Sequence, residues 1–292
     1  MKKPFNEKAF TLELAECIRQ ASCELPDDIE QGLLDALHRE EKQSIAHTVL
    51  ETITQNISLA RKKSRPLCQD TGLPAFYISY PPKVFPSRIK QCIEDAIVLA
   101  TEEGYLRPNA VDPLSGKNSG NNLGEGIPAL NFDEWDKNAI LVKCLLKGGG
   151  SENVSAQYSL PSVELSAGRD LKGVETCVIN AVLKAQGKGC APGIIGVGIG
   201  GDRISGYETA KKQLFRNLND KNENPELNEL EQTLLGKLNK LEIGPMGLGG
   251  KTTVLGVKIG KAHRIPASYF VSIAYMCWAC RRKELLFDLS DK

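Results

Sequence analysis

The sequence predicts a mixed α/β fold, with a helical N-terminal part over about residues 1–65 packed with mixed sheet. Helix-like and strand-like segments alternate along the chain, which is typical of folds that combine both elements. The chain has 292 residues, of which 41% are hydrophobic and 25% charged. This length is enough to bury a core of useful size in one large domain or two packed domains. We expect one domain over residues 1–292.

The N-terminal half predicts helices, then a strand, then a further helix. Apolar residues recur at helical spacing over residues 12–61, and one predicted face is formed by Ile45, Val49, Ile53 and Ile57. Pro66 ends this helical part, and "LPAFYISY" at 73–80 predicts a strand. Residues 86–103 predict another helix, for which Gly104 is the C-terminal cap.

The second half begins with a long loop rich in Gly, Asn and Pro at 107–127. Loops of this length inside compact domains are often functional. The later segments predict further strands and helices. They are a strand in "AILVKCLLK" (139–147), a helix at 172–186, a buried strand at 193–199, two helices within 206–240 that flank an exposed insertion at about 217–226, and strands in "TTVLGVKIG" (252–260) and "SYFVSIAYMCWA" (268–279).

Charge and composition exclude several classes of partner. Lys and Arg total 37 against 36 Asp and Glu, so the formal charge is +1. This balance predicts no binding to nucleic acid or to an anionic membrane. The N-terminus does not resemble a signal peptide, and no run approaches the ~18 apolar residues of a membrane span. The nine cysteines are odd in number, so we expect a reducing cytoplasm rather than a disulfide framework.

Three glycine-rich segments invite a nucleotide-binding interpretation. "GVGIGG" at 196–201 matches G-x-G-x-x-G, but helices follow it where a dinucleotide fold requires a second strand. "GPMGLGGKTT" at 244–253 has a proline where a P-loop requires its first glycine. "KGGGSEN" at 147–153 allows backbone amides to approach an anion. Taken singly, each segment is more simply explained as a tight turn with positive φ.

Three cysteines stand apart from the others because they lie at predicted loop–strand junctions: Cys68, Cys190 and Cys277. Most of the other cysteines fall inside helix or strand patterns, where a buried thiol suffices as explanation. Three thiolates suit an iron–sulfur cluster that keeps one iron open to substrate. Spacing alone does not establish such a cluster. Cys277 and Cys280 also form a C-x-x-C, which fits a redox motif or half of a zinc site.

Five motifs in order resemble the iron–sulfur hydro-lyases, the class I fumarate hydratases and L(+)-tartrate dehydratases. The resemblance covers almost the whole chain, from the N-terminal helices to Arg282. The motifs are "LCQDTG" (67–72), "KGGGSEN" (147–153), "GKGCAPGIIGVGIGG" (187–201), "GPMGLGGKTT" (244–253) and "MCWACRR" (276–282). The resemblance implies an α-type catalytic domain with a [4Fe–4S] cluster held by Cys68, Cys190 and Cys277. Cys280 is an alternative third ligand.

The resemblance also implies a set of substrate contacts. Gln69 and Asp70 lie beside the first cluster ligand, and Arg107 matches a family arginine that binds a substrate carboxylate. A guanidinium suits that task by its bidentate geometry. Asp70 either handles a proton or orients the substrate hydroxyl. Further contacts are implied for the backbone at Gly149 and Gly150 and for the catalytic candidate His263; without the resemblance, Arg107 and His263 read as ordinary surface or structural residues.

The expected activity is reversible hydration of fumarate to (S)-malate, by a chain that acts as the α subunit of a two-subunit enzyme. The resemblance implies a separate β subunit and an α–α dimer within a heterotetramer, because a second domain follows this one in the single-chain enzymes. L(+)-tartrate dehydration to oxaloacetate is the alternative activity, and no residue discriminates the two. Two other classes stay open: a nucleotide-binding or redox module, and a scaffold that keeps the fold without catalysis.

Overall fold

The computed structural model describes residues 5–290. The chain forms two compact units. The first unit consists of the described parts of Met1–Pro26, Asn56–Gly148 and Arg281–Lys292, and the second consists of Asp27–Gln55 and Gly149–Cys280.

Helices and strands alternate through both units. The helices are α1 (Glu7–Cys23), α2 (Asp27–Arg39), α3 (Ile45–Lys63), α4 (Pro86–Glu102), α5 (Gly149–Asn153), α6 (Leu171–Ala185), α7 (Arg203–Gln213) and α8 (Pro225–Asn239). The strands are β1 (Leu73–Tyr80), β2 (Ala129–Glu134), β3 (Ala139–Lys147), β4 (Ala156–Ser159), β5 (Gly193–Gly200), β6 (Val254–Ala262), β7 (Phe270–Met276) and β8 (Arg281–Asp288).

The first unit is a four-stranded mixed sheet covered by helices. Its strand order is β2-β1-β3-β8, in which β1 and β2 run parallel and the other pairs antiparallel. Helices α1 and α4 pack against each other, and α1 also contacts β3 and β8. Asn6 caps the start of α1 by accepting a hydrogen bond from the amide of Ala9, and Pro86 begins α4. The buried face of α4 includes Ile89, Ile93 and Ile97, as its spacing predicts.

The second unit has its own mixed sheet, with strand order β4-β7-β5-β6 and helices on both faces. Strand β5 runs parallel to β6 and antiparallel to β7. Because side chains alternate along a strand, Ile195 and Val197 face a core shared with α6 and α8. Gly196 and Gly198 face α7, where an added Cβ would meet backbone oxygens at 2.2 and 2.3 Å. These two glycines therefore let α7 lie directly on the strand.

The predicted fold class, mixed α/β, is confirmed by these elements. The strands that the sequence patterns missed are β2, β4 and β8, and each is an edge strand of its sheet. Edge strands carry polar residues on their solvent side, so their apolar pattern is weak.

The expected single domain over 1–292 stays a prediction. The segment expected as an exposed insertion contacts β6. Its Asp220 carboxylate accepts a hydrogen bond at 2.6 Å from Lys258, which lies on β6.

No helix within residues 5–290 is long and apolar enough to cross a membrane.

Candidate functional site

The loop that carries Cys68, Gln69 and Asp70 lies in the first unit, between α3 and β1, and is held in one conformation. The Asp70 carboxylate accepts a hydrogen bond from the amide of Gly72 at 3.0 Å. Gly72 has φ +82°, and a Cβ there would lie 2.8 Å from the backbone of Lys147, so only glycine fits. The fully buried Thr71 hydroxyl accepts hydrogen bonds from the Arg107 amide and from Asn109, both at 3.1 Å.

Arg281, at the start of β8, contacts the same loop. Its side chain is 1% exposed, and its Nη1 donates a hydrogen bond to the Asp70 carbonyl oxygen. A Cβ added to Gly148 would lie 2.9 Å from Asp70 Oδ2 and 3.4 Å from Arg281 Nη2. The Asp70 carboxylate therefore lies over the Gly148 backbone, beside a buried guanidinium. Arg281 and Gly148 fall within the quoted motifs, but no sequence pattern marked them as site residues.

Arg107 is exposed and belongs to this loop cluster. Its Nη1 donates to the carbonyl oxygen of Gln69 at 3.3 Å, while its backbone amide binds Thr71. Gln69 is also exposed, and Cys68 and Asp70 are half-buried. The first unit thus brings together four of the predicted site residues: Cys68, Gln69, Asp70 and Arg107.

The second unit brings together Cys190 and Cys277. Cys190 adopts left-handed backbone angles, φ 55° and ψ 65°, immediately before β5. Its carbonyl oxygen accepts a hydrogen bond from the amide of Trp278 at 3.2 Å, which holds the segment after β7 against it. The Cys277 thiol donates to the Ala279 carbonyl at 3.6 Å. A non-glycine residue in the left-handed region is a conformation found at functional sites.

Exposure separates the cysteines into two groups. Cys68, Cys190 and Cys277 are half-buried, whereas the other six are buried and none of the nine forms a disulfide. Burial raises the pKa of the Cys17 thiol to about 12 and that of Cys177 to about 11, so these thiols stay protonated. Cys280, the alternative ligand, is 0% exposed.

The donor set suits an iron–sulfur cluster by its chemistry, since cysteine thiolates are the ligands of such clusters. Within residues 5–290, however, no three or more Cys, His, Asp or Glu side chains are grouped so that they could hold a metal ion. The assignment of ligands therefore stays a prediction.

Gly149 and Gly150 are exposed and open the short helix α5. Their φ angles are not positive, so the tight-turn explanation of "KGGGSEN" was wrong. A Cβ at Gly150 would lie 3.5 Å from the carbonyl oxygen of Lys188, an ordinary contact. The proposed backbone contact to a substrate at these glycines stays a prediction.

His263 is exposed and follows β6, at the end of the sheet away from Cys190 and Cys277. Strand β5 begins beside Val254 and ends beside Ala262, and β7 ends beside the start of β5. At ~3.3 Å per residue, the seven steps of β5 separate the two ends by about 23 Å. Within this unit the structure does not bring His263 together with the cysteines.

The other two glycine-rich segments have structural explanations that weaken the nucleotide alternative. The helix after "GVGIGG" is capped by the Asp202 side chain, which accepts from the amides of Ile204 and Ser205. In "GPMGLGGKTT", the amides of Lys251 and Thr252 donate to the buried Glu40 carboxylate at 2.9–3.0 Å. Both anion positions are therefore filled by carboxylates of the chain itself.

The first unit thus holds one cysteine loop with a buried arginine against Asp70, and the second unit holds two further cysteine segments. Comparison with known proteins gives the family of the chain. Residues 11–285 match the family model described as fumarate hydratase (Fumerase). The chain belongs to the fumarate hydratase family, as the motifs predicted.

Curated relatives are similar over most of the chain. A "Putative fumarate hydratase class I" of Geobacillus stearothermophilus is 52% identical over 94% of this chain and 54% of its own length. A "Putative L(+)-tartrate dehydratase subunit alpha" of Methanocaldococcus jannaschii is 38% identical over 96% of this chain and 98% of its own. The "L(+)-tartrate dehydratase subunit alpha" of Escherichia coli K12 is 32% identical over 91% of this chain and 86% of its own length. The chain thus spans about half the length of the first relative.

Proposed function

We propose that this chain is the α-type part of a hydro-lyase that catalyses the reversible hydration of fumarate to (S)-malate. The observation that carries the proposal is the 52% identity to the Geobacillus protein named as a class I fumarate hydratase, over 94% of the chain. The two tartrate dehydratase α subunits are less similar, at 38% and 32%.

Cys68, Cys190 and Cys277 would hold a [4Fe–4S] cluster in this proposal. Their partial exposure supports the choice, because a ligand must be reached by iron, and the buried Cys280 is the poorer candidate. When bound, the cluster supplies a Lewis-acidic iron that makes the substrate hydroxyl a better leaving group. Cys190 also has left-handed backbone angles, a conformation that costs energy in a non-glycine residue and is found at functional sites.

The chain's own residues would bind the substrate and move its proton. Asp70 is the proposed proton-handling or hydroxyl-orienting group, since its carboxylate is held in place by the amide of Gly72 and lies beside Arg281. Arg107 and Gln69 would bind one substrate carboxylate, because their side chains are exposed beside Asp70. The amides of Gly149 and Gly150 would add backbone contacts.

A partner chain completes the proposal. A dicarboxylate needs cations for both of its ends, and Arg107 is the one permanently charged cation among the substrate contacts that the motifs predict. Two relatives carry the words "subunit alpha" in their names, which implies a second subunit in those proteins. We therefore assign the remaining cations to a β-type subunit, within a heterotetramer built on an α–α dimer, in the cytoplasm. His263 would act as a catalytic residue in that assembly.

L(+)-tartrate dehydration is the second candidate, and one observation favours it. Two relatives that are similar over more than nine-tenths of this chain are named as L(+)-tartrate dehydratase α subunits. The two substrates differ by one hydroxyl group, which a hydrogen-bonding site can discriminate strongly.

An anaerobic assay with both substrates tests the proposal. The chain is co-expressed with a β-type subunit as the proposal requires, loaded with iron and sulfide, and assayed with fumarate, (S)-malate and L(+)-tartrate. We expect kcat/KM to be highest for the fumarate–malate pair. Preference for tartrate would select the second candidate. A colourless protein that binds NAD tightly after loading would instead favour the nucleotide-binding class.

A further inference from the structure

Tyr275, near the end of β7, carries a buried hydroxyl for which the protein provides no partner. The side chain is 1% exposed, and its Oη has no hydrogen-bond partner among the described residues. Buried hydroxyls are almost always hydrogen-bonded, because an unsatisfied one keeps the full cost of its desolvation. An exception of this kind calls for an explanation, such as a group that binds at that position.

The surroundings of the ring identify the position. A Cβ added to Gly189 would lie 2.4 Å from Tyr275 Cε1, and one added to Gly193 would lie 2.7 Å from its Oη. The ring therefore lies against the backbone on both sides of Cys190, and glycine is required at both places. Tyr275 also lies two residues before Cys277. The next residue, Trp278, donates a backbone hydrogen bond to the Cys190 carbonyl oxygen.

A tyrosine hydroxyl is a hydrogen-bond donor at neutral pH, because a phenol keeps its proton up to about pH 10. It can therefore donate one hydrogen bond to a sulfur atom that binds beside it.

We propose that Tyr275 donates this hydrogen bond to a sulfide of the iron–sulfur cluster, and so raises the cluster's reduction potential. The inference rests on the proposed function, because it requires that Cys190 and Cys277 hold a cluster. Hydrogen bonds to sulfur stabilise the reduced, more negatively charged cluster, so their loss lowers the potential.

The test compares Tyr275→Phe with the wild-type chain and with Tyr158→Phe as a matched control. Tyr158 lies on β4 of the same sheet, and its hydroxyl bonds Asn180 at 2.9 Å. Each protein is loaded anaerobically with iron and sulfide, and its reduction potential is measured by a titration followed by electron paramagnetic resonance. We expect a more negative potential in Tyr275→Phe alone. Equal potentials in all three proteins would overturn the inference.

Thermal unfolding provides the second measurement. Without the cluster, Tyr275→Phe removes an unsatisfied hydroxyl, so its Tm should equal or exceed that of the wild type. With the cluster, the same change removes a hydrogen bond, so the rise in Tm on loading should be smaller than in the wild type. An equal rise would contradict the inference. Failure of the wild-type chain to take up iron would overturn the proposed cluster itself, which is a separate result.

Discussion

At the scale of single residues, the Asp70 carboxylate is prearranged by contacts that lie far apart in the sequence. Gly72 donates to Oδ1, Arg281 binds the carbonyl from 211 residues away, and Gly148 leaves room for Oδ2. Such an arrangement limits the motion of the group that would handle the proton. A displacement of the Asp70 carboxylate should therefore reduce the catalytic rate more than it reduces the stability of the fold.

Gly148→Ala tests this arrangement. The new Cβ would lie 2.9 Å from Asp70 Oδ2, so the carboxylate must move. We expect kcat to fall on the order of 10²-fold, the effect typical of a displacement of about 1 Å in a catalytic group. The measurement is the steady-state rate with fumarate, together with circular dichroism to verify folding.

Gly236→Ala is the control for Gly148→Ala. Gly236 lies within α8, and a Cβ there meets nothing within 4 Å. Alanine should stabilise the helix by about 0.5–1 kcal/mol and leave kcat unchanged. Full activity in Gly148→Ala would show that the position of the Asp70 carboxylate does not limit the reaction.

The choice between Cys277 and Cys280 is testable by paired substitutions. We expect Cys277→Ala to lose the brown colour and most of its bound iron, because a half-buried ligand is removed. Cys280→Ala should keep both, since that thiol is fully buried. Iron per chain after anaerobic loading is the measurement, and loss of iron only in Cys280→Ala would reverse the assignment.

At the scale of elements, the errors of sequence-based prediction have two physical sources. The missed strands β2, β4 and β8 lie at sheet edges, and β8 begins "RRKE". The predicted face of α3 used steps of four residues only, which drift around a helix of 3.6 residues per turn. In the structure Ile45 is 65% exposed, and the buried face is Ala46, Leu50, Ile53, Ile57 and Ala60.

The segment between α7 and α8 is held by charges that its polar sequence does not reveal. Asp220 bonds Arg216 at 2.8 Å and the 3%-exposed Lys258 at 2.6 Å, while Arg216 also bonds the buried Glu231. Burial alone would raise the pKa of Asp220, but the hydrogen bonds and charges of Arg216 and Lys258 outweigh it. The pKa of Asp220 is therefore lowered.

The substitution Asp220→Asn should make the free energy of unfolding less dependent on pH in the acid range. A carboxylate with a lowered pKa stabilises the fold above its unfolded pKa, about 3.8, and loses this effect as pH falls through the folded value. We expect the variant to be less stable than the wild type at pH 7, with the difference shrinking below about pH 4. The free energy of unfolding is measured in urea across pH 3–7, with substitution of the exposed Asp136 by Asn as the control. A difference between Asp220→Asn and the wild type that stays constant with pH would contradict the role of the charge.

At the scale of the whole molecule, sequence reasoning found the family and most of the central elements. Cys68, Gln69, Asp70 and Arg107 were identified by resemblance, and the structure places them in one loop cluster. Arg281, Gly148 and Tyr275 were missed because their significance depends on contacts with segments remote in sequence. No local pattern marks such contacts, although the glycines beside Cys190 were a signal that something large lies against them.

Removal of the proposed cluster should destabilise the molecule, because a group that binds only the folded chain stabilises it by mass action. We expect the loaded protein to be more stable by about 2.7 kcal/mol for a ligand at 100 times its Kd. Calorimetry before and after anaerobic chelation measures the change in Tm. An unchanged Tm, with iron bound in the loaded sample, would indicate that the metal sits outside the folded core.

The division of the cysteines by exposure has a practical consequence for anyone who prepares the protein. An alkylating reagent added briefly to the cluster-free chain should label three thiols rapidly and leave the six buried ones largely unmodified. Thiolates that hold the proposed cluster would be shielded from the reagent. The mean number of labels per chain, read by mass spectrometry, would then measure what fraction of a sample carries the proposed cluster.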